Sequence, residues 1–216
     1  MGEPLSWSEL YRHRRDAAAR FGPIFGLPIA KRARDILAVQ VHAGQSVLEV
    51  GAGDRSMGRF LSERYTCLVY QSLDPDPAGV HDYRNLSEVQ RTFDCVFAFE
   101  VIEHLELAEI PGWLSRLREL VVPGGSVLLS TPNTYYPPAY LRDATHRTPL
   151  CYDELAGLLT AAGLEVDHVY RIYNDPIHRI LLRRYLFNGF FRLIGIDFAR
   201  QIVVVAHRPR PAVKNA

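Results

Sequence analysis

Two stretches of this chain hold reactive residue types at close spacing. The first, Val47-Leu48-Glu49-Val50-Gly51-Ala52-Gly53-Asp54, ends an apolar run in an acid and two closely spaced glycines. Glycine adopts positive φ and has no Cβ, so the backbone at Gly51 and Gly53 can turn sharply and let a ligand approach it. Such a turn suits a nucleoside-bearing ligand, and it also suits an ordinary strand-to-helix connection. The second stretch, Glu100-Val101-Ile102-Glu103-His104, sets two carboxylates and an imidazole three and four positions apart. On a helix those positions project from one side, where they can hold a divalent metal. Another imidazole, His146, lies in a stretch over 135–149 that is rich in proline and tyrosine. Imidazole changes charge nearest neutral pH, so His104 and His146 are the candidate general bases, against a purely structural hydrogen-bonding role for each.

The pattern of the chain predicts the elements that must place these residues. Ser6 or Ser8 caps a helix running to Arg20 and closed by Phe21-Gly22-Pro23, and a second helix covers 28–39. An apolar strand, Ser46 to Val50, leads into the glycine turn and a helix from Met57 to Arg64. A strand from Thr66 to Leu73 delivers Asp74, and the continuous apolar run Phe93 to Phe99 has the character of a central parallel strand covered on both faces. A helix over 108–120 is followed by the turn Pro123-Gly124-Gly125 and a strand from Ser126 to Ser130. After the long loop over 135–149, a helix from Asp153 to Ala162 precedes strands Glu165 to Tyr173 and Gln201 to His207. Alternating strands and helices imply an α/β, doubly wound, mostly parallel sheet.

Bulk properties bound the function classes. With 216 residues, 48% hydrophobic and 23% charged, the chain reads as one globular domain. A net charge of +1, from 25 basic and 24 acidic residues, gives no global reason to expect a nucleic-acid partner. Cys67, Cys95 and Cys151 show no CxxC spacing, and Cys67 and Cys95 sit in apolar runs, so a reducing, cytoplasmic compartment is expected. The first residues lack the apolar core of a signal peptide, no run has the length to cross a bilayer, and 209–216 reads as a flexible tail.

Taken together, these segments resemble the class I S-adenosylmethionine-dependent methyltransferases over Gln45 to Arg208. The resemblance rests on Glu49-Val50-Gly51-Ala52-Gly53, on Asp74 at the end of the next strand, on Phe93–Phe99, and on Leu120 to Leu129 with its Pro-Gly-Gly turn. It implies a Rossmann-like seven-stranded sheet with an antiparallel last strand. N-terminal helices over 1–44 and a helical insertion over 176–198 would together cover the acceptor pocket of the 45–208 core. It implies S-adenosylmethionine as cofactor, bound by Glu49, Gly51, Ala52, Gly53 and Glu100. Asp74 would take the ribose hydroxyls, and Asp82 would lie near the adenine amino group or else cap a turn. The family often has a third glycine where this chain has Arg55; the loop should be less tight there, with Arg55 either pointing to solvent or meeting the methionine carboxylate.

The Glu100–His104 pattern, the later Thr131-Pro132-Asn133 and His146-Arg147 also resemble the small-RNA 3′-end 2′-O-methyltransferases. Their metal ligands would fall on Glu100, Glu103, His104 and His146. The same pattern, with Ser130-Thr131-Pro132-Asn133, Asp143-Ala144-Thr145-His146 and Tyr152-Asp153-Glu154-Leu155, is similar to the small-molecule ubiquinone-biosynthesis O-methyltransferase group, which fits at least as well. The expectation is therefore transfer of a methyl group to a small-molecule or saccharide hydroxyl, with no metal assigned. The alternatives are a metal-assisted RNA ribose methyltransferase and an inactive, cofactor-binding partner subunit, the latter motivated by Arg55. Within the insertion, apolar residues alternate with Arg179, Arg183, Arg184 and Arg192. Such a segment can rest on a membrane or grip a lipid-linked acceptor, or it can pack as a helical cap on the sheet edge or on a second subunit in a homodimer.

Overall fold

The structure is a computed structural model in which residues 6–211 are described. At its centre runs β4, Phe93–Phe99. Phe93, Val96 and Ala98 enter one apolar core, and Cys95 and Phe97 enter the core on the opposite face. Burial on both faces is why this run is apolar almost throughout. On one side β4 pairs in parallel with β2 (Ser46–Val50), which pairs in parallel with β3 (Val69–Leu73). On the other side it pairs in parallel with β5 (Val121–Pro132). Next comes β7 (Gln201–His207), antiparallel both to β5 and to β6 (Glu165–Ile172). The full order is β1-β6-β7-β5-β4-β2-β3.

The seventh strand arises where a helix was expected. Residues 28–39 do not form one continuous helix: β1, Ile29–Ala30, pairs in parallel with Arg171 and Ile172, and helix α2 spans only Ala33–Gln40. Pro28 and Ala30 carbonyls accept from the amides of Arg171 and Tyr173 at 2.8 and 3.0 Å, so the open edge of β6 captures this segment. A second difference lies in β5, which starts at Val121, directly after helix α4 (Ile110–Leu120), and carries Pro123-Gly124-Gly125 as an irregularity within its pairing to β4. A Cβ at Gly125 would stand 2.7 Å from the Asp94 carbonyl, so only glycine fits this approach.

Helix α1, Trp7–Phe21, is capped by Ser6 in a reciprocal box with Glu9. It packs against α6, Tyr152–Ala161, at Gly157, where a Cβ would lie 2.9 Å from the Arg14 amide. Arg14 fixes the pair by bonding Asp153 at 2.9 Å and Glu154 at 3.1 Å. The insertion is helical, as read: α7 (Ile177–Leu181), a π-helical turn (Leu182–Leu186) and α8 (Asn188–Leu193). Ile180 and Phe191 seat it on Tyr173, Phe198 and Ala199. Beneath lies a buried ion pair, Arg171 to Asp197 at 3.1 Å, with the Tyr173 hydroxyl donating to Asp197 at 2.9 Å.

Two smaller corrections concern the cysteines and the tail. Cys67 is exposed in a turn at φ 57°, not in an apolar interior, while Cys95 is fully buried and its thiol is pushed up to about 12 by that burial. The expected tail lies, from residue 212 onward, outside the described residues.

Candidate active site

The chain leaves β3 and returns through β4 on the opposite side of β2. This reversal opens a crevice beyond the carboxyl ends of β2 and β4, the place where open α/β sheets take ligands. The glycine turn fills one side of it. Gly51 has φ 74°, Gly53 φ 45° and Arg55 φ 59°, so three alternate residues are left-handed before helix α3, Ser56–Arg64. The loop therefore keeps its tightness at Arg55, against expectation, and a non-glycine residue carries the strained conformation. A Cβ at Gly51 would stand 2.3 Å from Val101 Cγ2, while the amides of Gly51 and Ala52 donate to the Leu73 carbonyl at 2.8 and 3.1 Å. The turn is thus clamped to β3 behind and to the residue after Glu100 in front. The Arg55 guanidinium lies over Tyr70, 5.5 Å from the ring centroid, and donates to the Val80 carbonyl at 3.3 Å.

Carboxylates ring the same crevice. Glu49 is buried at the end of β2, where Tyr70 donates its hydroxyl to it; loss of hydration pushes the carboxyl up to about 7, the Tyr70 bond opposing. Asp74, just past β3, accepts the Gly53 amide at 2.8 Å and the Asp76 amide at 2.9 Å. Each carboxylate oxygen can accept again, so these bonds orient Asp74 without exhausting it. Asp82 is engaged within the fold, its Oδ2 accepting both the amide and the hydroxyl of Ser72 at 2.8 Å. These bonds tie the loop after β3 back to the strand itself.

Glu100 ends β4 at φ 55° and receives Ser130 Oγ at 3.0 Å and Gln201 Nε2 at 2.8 Å. Burial raises its carboxyl above the usual range. It borders two adjoining cavities. One, of about 390 Å³, is also lined by Tyr136, Arg142, Asn174, Arg200 and Gln201. The other, of about 540 Å³, reaches Arg32, Arg34, Met57 and Phe99. Of the N-terminal helices, only the start of α2 borders this space.

The Glu100–His104 pattern is not helical as expected: Glu100 caps a strand and Ile102–His104 is a single 3-10 turn. That turn separates Glu100 from a tighter group of Glu103, His104 and His146, whose ligand atoms lie within 4.8 Å of one another. Glu103 is wholly buried, and neither of its oxygens receives a hydrogen bond. Its carboxyl is pushed up to about 8, first by burial and then by Glu100. His146 Nε2 stands 4.0 Å from Glu103 Oε1, while its Nδ1 bonds the Tyr140 carbonyl at 2.7 Å. His104 Nδ1 bonds Thr145 Oγ1 at 3.0 Å. The two histidines meet edge to face with centroids 4.9 Å apart, behind helix α5, Pro137–Leu141, and neither lines the two cavities.

Sequence reasoning missed Ser130, Asn174, Arg142, Arg200 and Gln201 as neighbours of Glu100. The usable signal was β7 itself: an antiparallel strand starts where its parallel neighbours end, which brings Gln201 to the site.

Comparison with known proteins agrees with this fold. An S-adenosylmethionine-dependent methyltransferase from Archaeoglobus fulgidus superposes with a TM-score of 0.61 at 15% identity, covering 94% of this chain and 100% of that one. One from Mesorhizobium loti gives 0.58 at 16% identity, covering 81% and 96%. The Haemonchus contortus phosphoethanolamine N-methyltransferase 2, solved with S-adenosyl-L-methionine, gives 0.56 at 15% identity, covering 96% of this chain and 54% of that one. No curated protein matches the sequence. A family profile described as a methyltransferase domain matches residues 11–169, so the chain belongs to the methyltransferase domain family.

Proposed function

We propose that this enzyme transfers the methyl group of S-adenosylmethionine to a hydroxyl on a small-molecule or saccharide acceptor, leaving S-adenosylhomocysteine. The donor site is the crevice of Glu49, Gly51, Ala52, Gly53, Asp74 and Glu100. The left-handed turn at Gly51 and Gly53 supports this, because two residues without side chains leave the main chain bare, with open space beside Gly53. Asp74 would take the ribose hydroxyls, and Glu49 the positive end of the methionine moiety. Asp82 would approach the adenine from the loop that its bonds to Ser72 hold in place. The sulfonium supplies an already activated methyl group, so the protein's part is to align the acceptor oxygen, exclude water and receive a proton.

The observation that carries the acceptor reading is the polar cavity over Glu100, bordered by Tyr136, Arg142, Asn174, Arg200 and Gln201. It has the size of a small-molecule site and presents donors suited to an oxygen-rich acceptor. His104 or His146 is the candidate base, and both stand outside the lining of this cavity. The Glu100–His104, Ser130–Asn133 and Asp143–His146 motifs support a resemblance, within the family, to the ubiquinone-biosynthesis O-methyltransferase-like group. Calorimetric titration with S-adenosylhomocysteine, followed by labelled methyl transfer to a panel of hydroxyl-bearing small molecules and saccharides, tests the reading. Absence of cofactor binding at millimolar concentration would overturn it entirely; transfer to RNA alone would overturn the acceptor class.

A second reading is favoured by Glu103, whose buried, unbonded oxygens face two imidazoles. Glu103, His104 and His146 together would hold a divalent cation of the manganese, iron or zinc type, which would polarise an acceptor diol. Loss of transfer in a chelator, restored by one such ion, would establish this reading, whereas chelator-insensitive transfer would reject it. RNA as the acceptor gains no support beside His146, where Asp143 stands close and Arg147 is paired to Glu106.

A further inference from the structure

Most of the large apolar side chains that the described residues leave in solvent belong to one segment, the insertion. Tyr185 is 72% exposed, Leu186 69% and Leu193 83%, with Ile177, Leu181 and Phe190 beside them. This is not a misplaced core. Ile180 and Phe191 already make the segment's inward contacts with Tyr173 and Phe198, and the remaining apolar groups face away. Isolated exposed leucines call for no explanation, but a contiguous apolar ridge marks a surface that meets something.

Charge identifies what it meets. Between Pro176 and Ile196 there is no Asp or Glu, while the segment carries Arg179, Arg183, Arg184 and Arg192, in a chain whose net charge is only +1. Arg183 is neutralised by Asp175 at 2.7 Å. Among the described residues, no carboxylate lies within ion-pair distance of Arg179, Arg184 or Arg192, and all three are exposed. The Arg184 and Arg192 guanidiniums lie over the rings of Tyr185 and Phe25. They also border a cavity of about 570 Å³ beneath the insertion, which reaches Leu27 and Phe198. Apolar side chains alternating with unpaired arginines on short helical turns match the headgroup boundary of a bilayer, where the apolar groups enter the acyl region and the arginines hold phosphates. Among the described residues no helix is long and apolar enough to cross a membrane, so contact is with one surface only.

We infer that residues 177–194 dock this enzyme on the surface of an anionic lipid bilayer. The inference does not depend on the acceptor class proposed above and stands or falls separately from it. The test is sedimentation of the full chain with phosphatidylcholine vesicles, with and without phosphatidylglycerol, at low and high salt. Binding is expected only with phosphatidylglycerol present, and it should be released by salt. The pair Arg184→Gln and Arg192→Gln should weaken it by roughly tenfold or more, since each basic group near such a surface carries about a fivefold share of affinity. Leu186→Ser with Leu193→Ser should weaken it as well. Both variants should keep wild-type S-adenosylhomocysteine affinity and melting temperature, because the changed side chains are exposed.

Lack of vesicle binding would overturn the inference. So would equal binding to neutral vesicles that ignores the arginine changes. Self-association in the ultracentrifuge, abolished by the leucine changes and unaccompanied by vesicle binding, would assign the ridge to a second copy of the chain instead.

Discussion

Glu49 makes the electrostatics of the proposed donor site measurable. Its carboxyl is raised from an ordinary 4.5 to about 7, chiefly by burial. A carboxyl whose folded pKa lies above its unfolded one binds its proton more tightly when folded. Its favourable contribution is therefore full below pH 4.5 and is lost as the pH climbs through about 7. Between pH 5 and pH 8 the loss of this single contribution should lower the free energy of unfolding by about 2 to 3 kcal/mol. Glu49→Gln keeps the shape and an acceptor for the Tyr70 hydroxyl but cannot ionise. Urea unfolding of both proteins across that range is the assay. The wild type should lose ground to the variant by that amount as pH rises, with Glu103 acting equally in both and cancelling. The second arm uses S-adenosylhomocysteine: its ammonium should rescue the ionised wild type, so cofactor affinity should rise from pH 6 to pH 8 in the wild type and stay flat in the variant. Parallel unfolding profiles would refute the burial argument, and an unchanged affinity profile would refute the placing of Glu49 at the methionine end.

The remaining expectations concern backbone strain and buried charge. Gly51→Ala should lower stability by about 1 to 3 kcal/mol and weaken cofactor binding at least tenfold, by positive φ and by collision with Val101; adding Val101→Ala should recover part of the stability by relieving the overlap. Arg55→Gly should raise stability by about 1 kcal/mol in thermal unfolding, because glycine accepts the left-handed backbone that arginine is forced to hold. Asp197→Ala should cost about 3 to 5 kcal/mol, since it leaves Arg171 buried without its counter-charge; a drop of only a degree or two in melting temperature would show that water reaches the site.

Much of this architecture could be read from the sequence where local pattern and global burial agree. Phe93–Phe99 was legible because a strand covered on both faces has no polar positions to disguise it, and Asp74 because a βαβ unit fixes the distance from the glycine turn. Ile29–Ala30 was not, because two residues carry no period, and only the open edge of β6 makes them a strand. The Glu100–His104 pattern was misassigned to a helix because i, i+3, i+4 spacing is compatible with a strand end followed by one tight turn. Arg55 misled in another way: the absent glycine suggested a changed loop, whereas clamping at Leu73 and Val101 compels the old backbone on a new side chain. Gln201 and Arg200 reach Glu100 from a hundred residues away, and no local signal announces such a meeting.

The position of β7 has a bearing on how the protein is made. Gln201–His207, near the end of the sequence, lies between β5 and β6, and all pairing between the two parts of the sheet passes through it. A growing chain that has finished β6 has two incomplete pieces of sheet, each with an exposed edge awaiting the same strand. Completion waits for the last strand to emerge, and until then the edges of β5 and β6 are open to mispairing or to a chaperone. Gln201, the strand's first residue, closes over Glu100 in that same event, so the cavity beside Glu100 is finished together with the sheet.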